Sequence, residues 1–262
     1  PNRADCLGVR GIARDLAAAG LGTLKPLPDS SSVIRHPSSA ITISITTPAC
    51  AQFIGCHIKG VKNSPSPAWL RQRLEAIGQK SISALVDITN YFTIDLAHPL
   101  HVYDAKKLRG NLVVRDAKEG EKLAALNNNE YALKQGMCVI ADDSGPVALG
   151  GIIGGAPTGC TEETTDVFLE VALFAPAHVA ATGRALQIDS DARYRFERGV
   201  DPAFVEEGAK RAVAMIQKLC GGEASALSVA GKAPEWKRTI AFNPARVQSL
   251  GGVDVSGEQC YK

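Results

Sequence analysis

Val167-Phe168-Leu169-Glu170-Val171-Ala172-Leu173-Phe174 is the stretch on which the fold turns. A short apolar run, rich in branched and aromatic side chains, reads as a β-strand. One carboxylate interrupts it. Buried, Glu170 must be paired, hydrogen-bonded or protonated, because a bare buried charge is costly. Strand alternation leaves a second possibility, that Glu170 faces solvent.

Similar short runs lie upstream: Leu112-Val113-Val114-Arg115, Met137-Cys138-Val139-Ile140 and Val147-Ala148-Leu149. Asn127-Asn128-Asn129, Gly150-Gly151 and Gly154-Gly155 punctuate them as turns. Ile41-Thr42-Ile43-Ser44-Ile45 alternates as a half-buried strand, and Phe53 to Val61 reads as another. Helical spacing surrounds this β-rich middle. Residues 5–20 carry Leu7, Ile12, Ala13 and Leu16 on one face. Ser66-Pro67 opens a helix bearing Trp69, Leu70, Leu74 and Ile77, with Ser66 as cap. Residues 82–96 and 176–187 are helical in length, and Asp201-Pro202 begins a helix running to Leu219. The expected class is α+β, a mixed α/β-like chain without a regular βαβ alternation.

Composition narrows the function classes. The 262 residues carry 29 Lys+Arg against 27 Asp+Glu, a formal charge of +2, with 45% hydrophobic and 21% charged residues. That excludes a disordered tail and a supercharged nucleic-acid binder. No apolar run approaches the ~18 residues of a membrane span. Seven scattered cysteines without a CxxC pair fit reduced thiols, and with no signal peptide the expected setting is cytoplasmic. Cys50, Cys56 and His57 lack zinc-site spacing, so no metal site is expected. The pattern Ser256-Gly257-Glu258-Gln259 opens a helix just before the last residue, which points to a piece of a longer polypeptide.

Four clusters could carry chemistry. Asp87-Ile88-Thr89-Asn90-Tyr91, followed by His98-Pro99-Leu100-His101-Val102-Tyr103-Asp104, concentrates polar groups in an apolar setting. Its plainer reading is caps and turns, with Thr89-Asn90 as a helix start. Gly150-Gly151-Ile152-Ile153-Gly154-Gly155 permits a sharp turn or close approach to a ligand, but it is neither a dinucleotide fingerprint nor a P-loop. Glu170 is the third. The fourth, residues 189–202, holds Arg193, Arg195 and Arg198 with Tyr194 and Phe196. It could grip phosphates and stack bases, or close on itself in ion pairs with Asp189, Asp191 and Glu197.

Together these segments resemble the β-subunit family of bacterial phenylalanyl-tRNA synthetases. The likeness runs through Pro1-Asn2-Arg3-Ala4-Asp5-Cys6-Leu7, Gly11-Ile12-Ala13, Val86 to Tyr91, Pro99 to Asp104, Ala148 to Gly155, Leu169-Glu170, and Ser190-Asp191-Ala192 through Arg195 to Pro202. The resemblance implies a domain plan. Residues 1–28 would end a preceding helical domain, 29–45 would link, 46–225 would form a central tRNA-binding and editing domain, and 236–262 would start a small helical domain. It implies tRNA(Phe) and a synthetic α subunit as partners, in an α2β2 heterotetramer, without DNA or membrane. ATP and Mg2+ would belong to the complete enzyme, with no cofactor and no metal ligand in this stretch.

The chemistry it implies is hydrolysis of mischarged Tyr-tRNA(Phe). Glu170 would accept the para-hydroxyl of tyrosine, and His101 would orient the ester or water, or act as a base titrating near neutrality. Thr89 and Asn90 would contact substrate, Gly154 would give a small wall, and Ser190 and Ala192 would shape the pocket. Arg193, Arg195 and Arg198 would reach the tRNA. Where the family often has Thr, Gly and a small residue, this chain has Ser190, Gln187 and Arg193. All the pocket residues are expected to converge on one cavity. The alternative function is a non-catalytic tRNA-binding and assembly scaffold with a vestigial pocket.

Overall fold

A computed structural model describes residues 2–27, 39–235, 237 and 239–261. The Pro/Ser-rich stretch from Pro28 to Ser38 lies outside the described residues.

The N-terminal helix comes in two pieces, a 3-10 turn at Ala4–Leu7 and α1 at Val9–Ala18. The expected single helix over 5–20 breaks at Gly8, which is extended. A Cβ there would stand 2.7 Å from the Ala97 nitrogen, so only glycine permits the approach. Ile12 and Leu16 stay exposed.

β1 (Ile43–Ile45) and β2 (Cys50–Lys59) follow, then α2 (Ala68–Glu75) and α3 (Ala84–Leu96). Pro67, not Ser66, occupies the cap of α2, and the buried Ser66 hydroxyl has no partner. Leu70 and Leu74 are buried while Trp69 and Ile77 are exposed, so half of that helix's apolar face stays at the surface. Thr89 and Asn90 fall inside α3 and do not start it. Its start is held by Asp87, which accepts from the Ile82 nitrogen at 2.9 Å and from the Ser81 hydroxyl. β3 (His101–Asp104) begins just after His98-Pro99.

β4 (Leu112–Asp116), the hairpin β5 (Lys122–Ala124) and β6 (Glu130–Ala132), β7 (Cys138–Asp142), β8 (Gly145–Leu149) and β9 (Ile153–Gly154) complete the middle. They lead into β10 (Asp166–Phe174), the run on which the reading began. Then come α4 (Pro176–Leu186), α5 (Asp191–Phe196), α6 (Val205–Cys220), β11 (Glu223–Ala224), β12 (Ser228–Gly231) and α7 (Ala245–Gly251). Helix α6 starts later than Asp201-Pro202 because Asp201 closes its own turn. Its carboxylate accepts from the Ala203 nitrogen at 2.9 Å and its carbonyl from the Phe204 nitrogen. Near the C-terminus, Ser256 and Gln259 exchange side-chain-to-backbone hydrogen bonds across a 3-10 turn, a small capping box. No residue of α7 is buried.

The strands form two five-stranded sheets besides the β5–β6 hairpin. One runs β1-β4-β7-β8-β9, with β1 parallel to β4 and the rest antiparallel. Residues 43–45 thus belong to a sheet, not to the expected linker. The other runs β11-β2-β10-β3, with β12 also on β2. In it β10 is central, antiparallel to β2 and to β3, and α6 packs on β10 and β2. The Phe168 ring and Ile43 fill the space above Gly55, joining the two sheets. Mixed sheets with packed helices bear out the α+β expectation.

Candidate active site

The register of β10 builds the site. Glu170 stands opposite His101 on β3 and opposite Gly55 on β2. Period-two alternation puts Tyr103 on the same face as His101, on the diagonal from Glu170. The Tyr103 hydroxyl donates to Glu170 Oε2, and the His101 and Tyr103 rings meet edge-on with centroids 4.5 Å apart.

Glu170 is buried, so the solvated-face alternative does not hold. Burial pushes its carboxyl up to about 7, opposed by the Tyr103 hydrogen bond, which favours the charged form. No second hydrogen bond to this carboxylate is present among the described residues. Burial drives His101 down to about 4, so it is neutral at physiological pH. The expectation that His101 titrates near neutrality is corrected by this desolvation. Its Nε2 is buried without a partner among the described residues.

The glycine-rich segment forms the opposite wall. The Ile152 nitrogen donates to the Leu149 carbonyl, closing a tight turn in which Gly151 adopts φ +70°. At Gly154 the need is space. A Cβ would stand 2.6 Å from His101 Nε2, so the missing side chain is what admits the imidazole.

Two adjoining cavities result, not the single one expected. The inner pocket, about 110 Å³, is lined by His101, Gly154, Glu170, Ala192 and Phe196 with the Ala148–Ile153 backbone turn. The outer cleft, about 330 Å³, is lined by Thr89, Asn90, His101, Leu126, Ser190 and Ala192, among others. Pro99, Leu100, His101 and Ala192 line both, and each sequence-expected pocket residue lines one or the other.

Their roles within it differ. The Thr89 hydroxyl donates to the Val86 carbonyl at 2.8 Å, inside its own helix. Asn90 lines the cleft and has no side-chain hydrogen bond among the described residues. The Ser190 hydroxyl donates to the Ile152 carbonyl at 2.7 Å and accepts from the Arg193 nitrogen at 3.0 Å. It therefore caps α5 and ties that helix to the glycine turn. Sequence reasoning gave no role to Tyr103 or Leu126, and it offered Phe196 only as a base-stacking ring, whereas Phe196 is buried and lines the inner pocket. The signal for Tyr103 was present, since His101 and Tyr103 are two residues apart on a strand.

A protein-family model described as the B3/4 domain matches residues 49–221. This chain belongs to the B3/4 domain family. Within this B3/4 domain chain the likeness to curated proteins is high. It is 56% identical to the "Phenylalanine--tRNA ligase beta subunit" of Paramagnetospirillum magneticum, over 99% of this chain and 33% of that one. It is 55% identical to the protein of the same name from Cereibacter sphaeroides, over 97% of this chain and 32% of that one. The chain thus spans about a third of the length of the curated relatives it matches. A solved N-terminal fragment of the phenylalanyl-tRNA synthetase β-subunit from Pyrococcus horikoshii matches with a TM-score of 0.42 at 14% identity, over 98% of this chain and 71% of that one.

The arginines of this B3/4 chain are held in ion pairs. Arg195 is buried and donates to Asp191 Oδ1 at 3.0 Å and to the Leu7 carbonyl at 2.8 Å. Arg193 pairs with Asp189 at 2.9 Å and Glu197 at 3.1 Å. Arg198 pairs with Glu197 at 2.7 Å and lies 3.8 Å above the Tyr194 ring. A buried guanidinium cannot meet a phosphate, so for Arg195 the ion-pair alternative replaces the expected tRNA contact. Gln187, where the family often has glycine, adopts φ 54° at the end of α4, which is the conformation glycine favours there.

One group of metal-ligating type occurs among the described residues: Asp5, Cys6 and Asp15. Arg3 and Arg14 already neutralise its carboxylates, so it does not suit a cation. Cys50, Cys56 and His57 form no such group among those residues. No helix among them is long and apolar enough to cross a membrane.

Proposed function

We propose that this chain carries the proofreading site of a phenylalanine--tRNA ligase, hydrolysing tyrosine from mischarged Tyr-tRNA(Phe). One observation carries the reading. A lone carboxylate lies on the floor of an apolar pocket, already accepting a hydrogen bond from a phenol, that of Tyr103. A second phenol, the side chain of tyrosine, is the ligand that such a carboxylate recognises.

The chemistry requires such a group. An apolar pocket rejects an added hydroxyl by only ~100-fold, whereas a site that hydrogen-bonds the hydroxyl rejects the analogue lacking it far more strongly. Phenylalanine in the inner pocket would leave Glu170 desolvated and without its partner. The outer cleft gives room for the ester, with the Asn90 amide and neutral His101 on its walls. A neutral imidazole of low basicity orients water or ester oxygen and serves poorly as a general base. Thr89, Ser190 and Ala192 define the shape, and Gly154 keeps the imidazole in place.

In this reading the partners are tRNA(Phe) and an α subunit in an α2β2 assembly, in the cytoplasm. The synthetic site, with ATP and Mg2+, lies outside this chain, and no residue here is assigned to either. The test gives the complete enzyme Tyr-tRNA(Phe). Glu170→Ala should lower kcat/KM for deacylation about 100-fold, and His101→Ala about 10-fold. If both variants deacylate as fast as the unmutated enzyme, the assignment is wrong.

A scaffold without catalysis is the second reading. The paired arginines favour it, because their carboxylate partners already occupy the most obvious phosphate grip. Accumulation of Tyr-tRNA(Phe) by the unmutated complete enzyme would decide for the scaffold.

A further inference from the structure

Tyr103 is a fully buried tyrosine whose hydroxyl has one partner, the Glu170 carboxylate. It projects from β3 two residues beyond His101, with its ring against the imidazole. The hydrogen bond engages Oε2. It leaves Oε1 as the carboxylate oxygen without a protein donor, on a residue that lines the inner pocket.

We infer that Tyr103 is a positioning residue for substrate discrimination: its hydroxyl holds Glu170 in the charged, accepting form and turns the other oxygen toward the incoming phenol. The inference rests on the editing reading and deepens it. A carboxyl this deeply buried favours its neutral form. A neutral carboxyl has one acceptor oxygen and one O–H donor, so it can also point its proton at the pocket and lose its preference for a phenol donor. A donor fixed behind the carboxylate opposes both effects. It stabilises the anion and fixes the carboxylate plane. It comes from the core, so it excludes water and does not compete for pocket space.

The titratable and charged groups facing Glu170 are few. His101 and Tyr103 approach from β3, Gly55 opposes it on β2, and the glycine turn and α5 offer Ala192 and Phe196. The Cys50 and Cys138 thiols stand close enough for Glu170 to raise them, and burial pushes both up, Cys138 to about 12, so they stay neutral. His101 is neutral as well. Among the described residues no cation pairs with Glu170 in place of the phenol.

The experiment measures deacylation of Tyr-tRNA(Phe) by the complete enzyme between pH 6 and 8.5, for the unmutated protein, Tyr103→Phe and Glu170→Gln. Removing the hydroxyl leaves burial unopposed, so the carboxyl holds its proton to higher pH. In Tyr103→Phe the rising limb of kcat/KM should move up by about one pH unit, with a roughly five- to tenfold loss at pH 7 that shrinks as pH rises. Glu170→Gln should lose that limb altogether. The inference is overturned if Tyr103→Phe keeps the unmutated profile while Glu170→Gln is impaired. It is equally overturned if Tyr103→Phe lowers the rate by the same factor at every pH, which a purely structural tyrosine would do. If Glu170→Gln matches the unmutated enzyme throughout, the editing reading itself fails, and the two failures are distinct.

Discussion

Two charged regions of this chain lie near each other and are handled in opposite ways. Residues 189–198 hold three arginines, and each is paired with a carboxylate of the same segment. Glu170, on β10, is buried, and among the described residues it has no cation beside it and only a phenol as partner. The arginine segment is electrically finished, and its pairs fix the short helix α5 that carries Ser190 and Ala192 into the cleft. The carboxylate is unfinished, because its second oxygen is left for something that enters. Paired charge shapes the wall, and unpaired charge awaits a ligand.

The contrast can be broken at its strongest paired point. Arg195→Ala should cost about 3 kcal/mol, because it removes a buried guanidinium that joins Asp191 to the Leu7 carbonyl. Urea unfolding measures this directly. A loss below about 1 kcal/mol would show that the segment is not a structural clamp.

The unpaired side is tested by pH. Glu170 has its carboxyl raised from 4.5 to about 7, so the folded state holds a proton that the unfolded state releases. Stability contributed by this group is complete below about pH 4.5 and is lost as pH rises through about 7. Glu170→Gln removes that loss. It should match the unmutated chain at pH 5 and exceed it at pH 8 by on the order of 2–3 kcal/mol. Equal differences at both pH values would mean that Glu170 is not a strained charge.

The smallest effect is expected at Arg198. Its guanidinium is partly exposed, pairs with Glu197 and covers the Tyr194 ring. Arg198→Ala should change stability by about 1 kcal/mol or less in the same unfolding assay. A loss matching that of Arg195→Ala would erase the distinction between the clamp and its rim.

Much of the site is legible in the sequence. The apolar run around Glu170 identified a buried strand, and the glycine pairs identified a tight turn. What failed did so for identifiable reasons. Thr89-Asn90 looked like a helix start because those side chains compete for backbone groups, yet Asp87 and Ser81 do that work and leave Thr89 mid-helix. His101 looked titratable because its ordinary value lies near neutrality, but a residue's local sequence does not state how deep its ring lies. Arg195 looked like a phosphate ligand because a guanidinium is usually exposed. Its burial depends on Leu7, 188 positions earlier in the chain.

The sequence by itself determined the mixed class, the strand that holds a carboxylate and the turn rich in glycine. Those follow from short-range rules: side-chain period, backbone freedom and the cost of burying charge. Only the tertiary structure decided that Glu170 faces His101 and takes its hydrogen bond from Tyr103. That depends on the register between β10 and β3, in strands more than sixty residues apart. A slip of one residue would turn Glu170 to the other face of the sheet. The physical reason is that a strand's own sequence fixes which residues share a face, while its neighbours fix what that face meets.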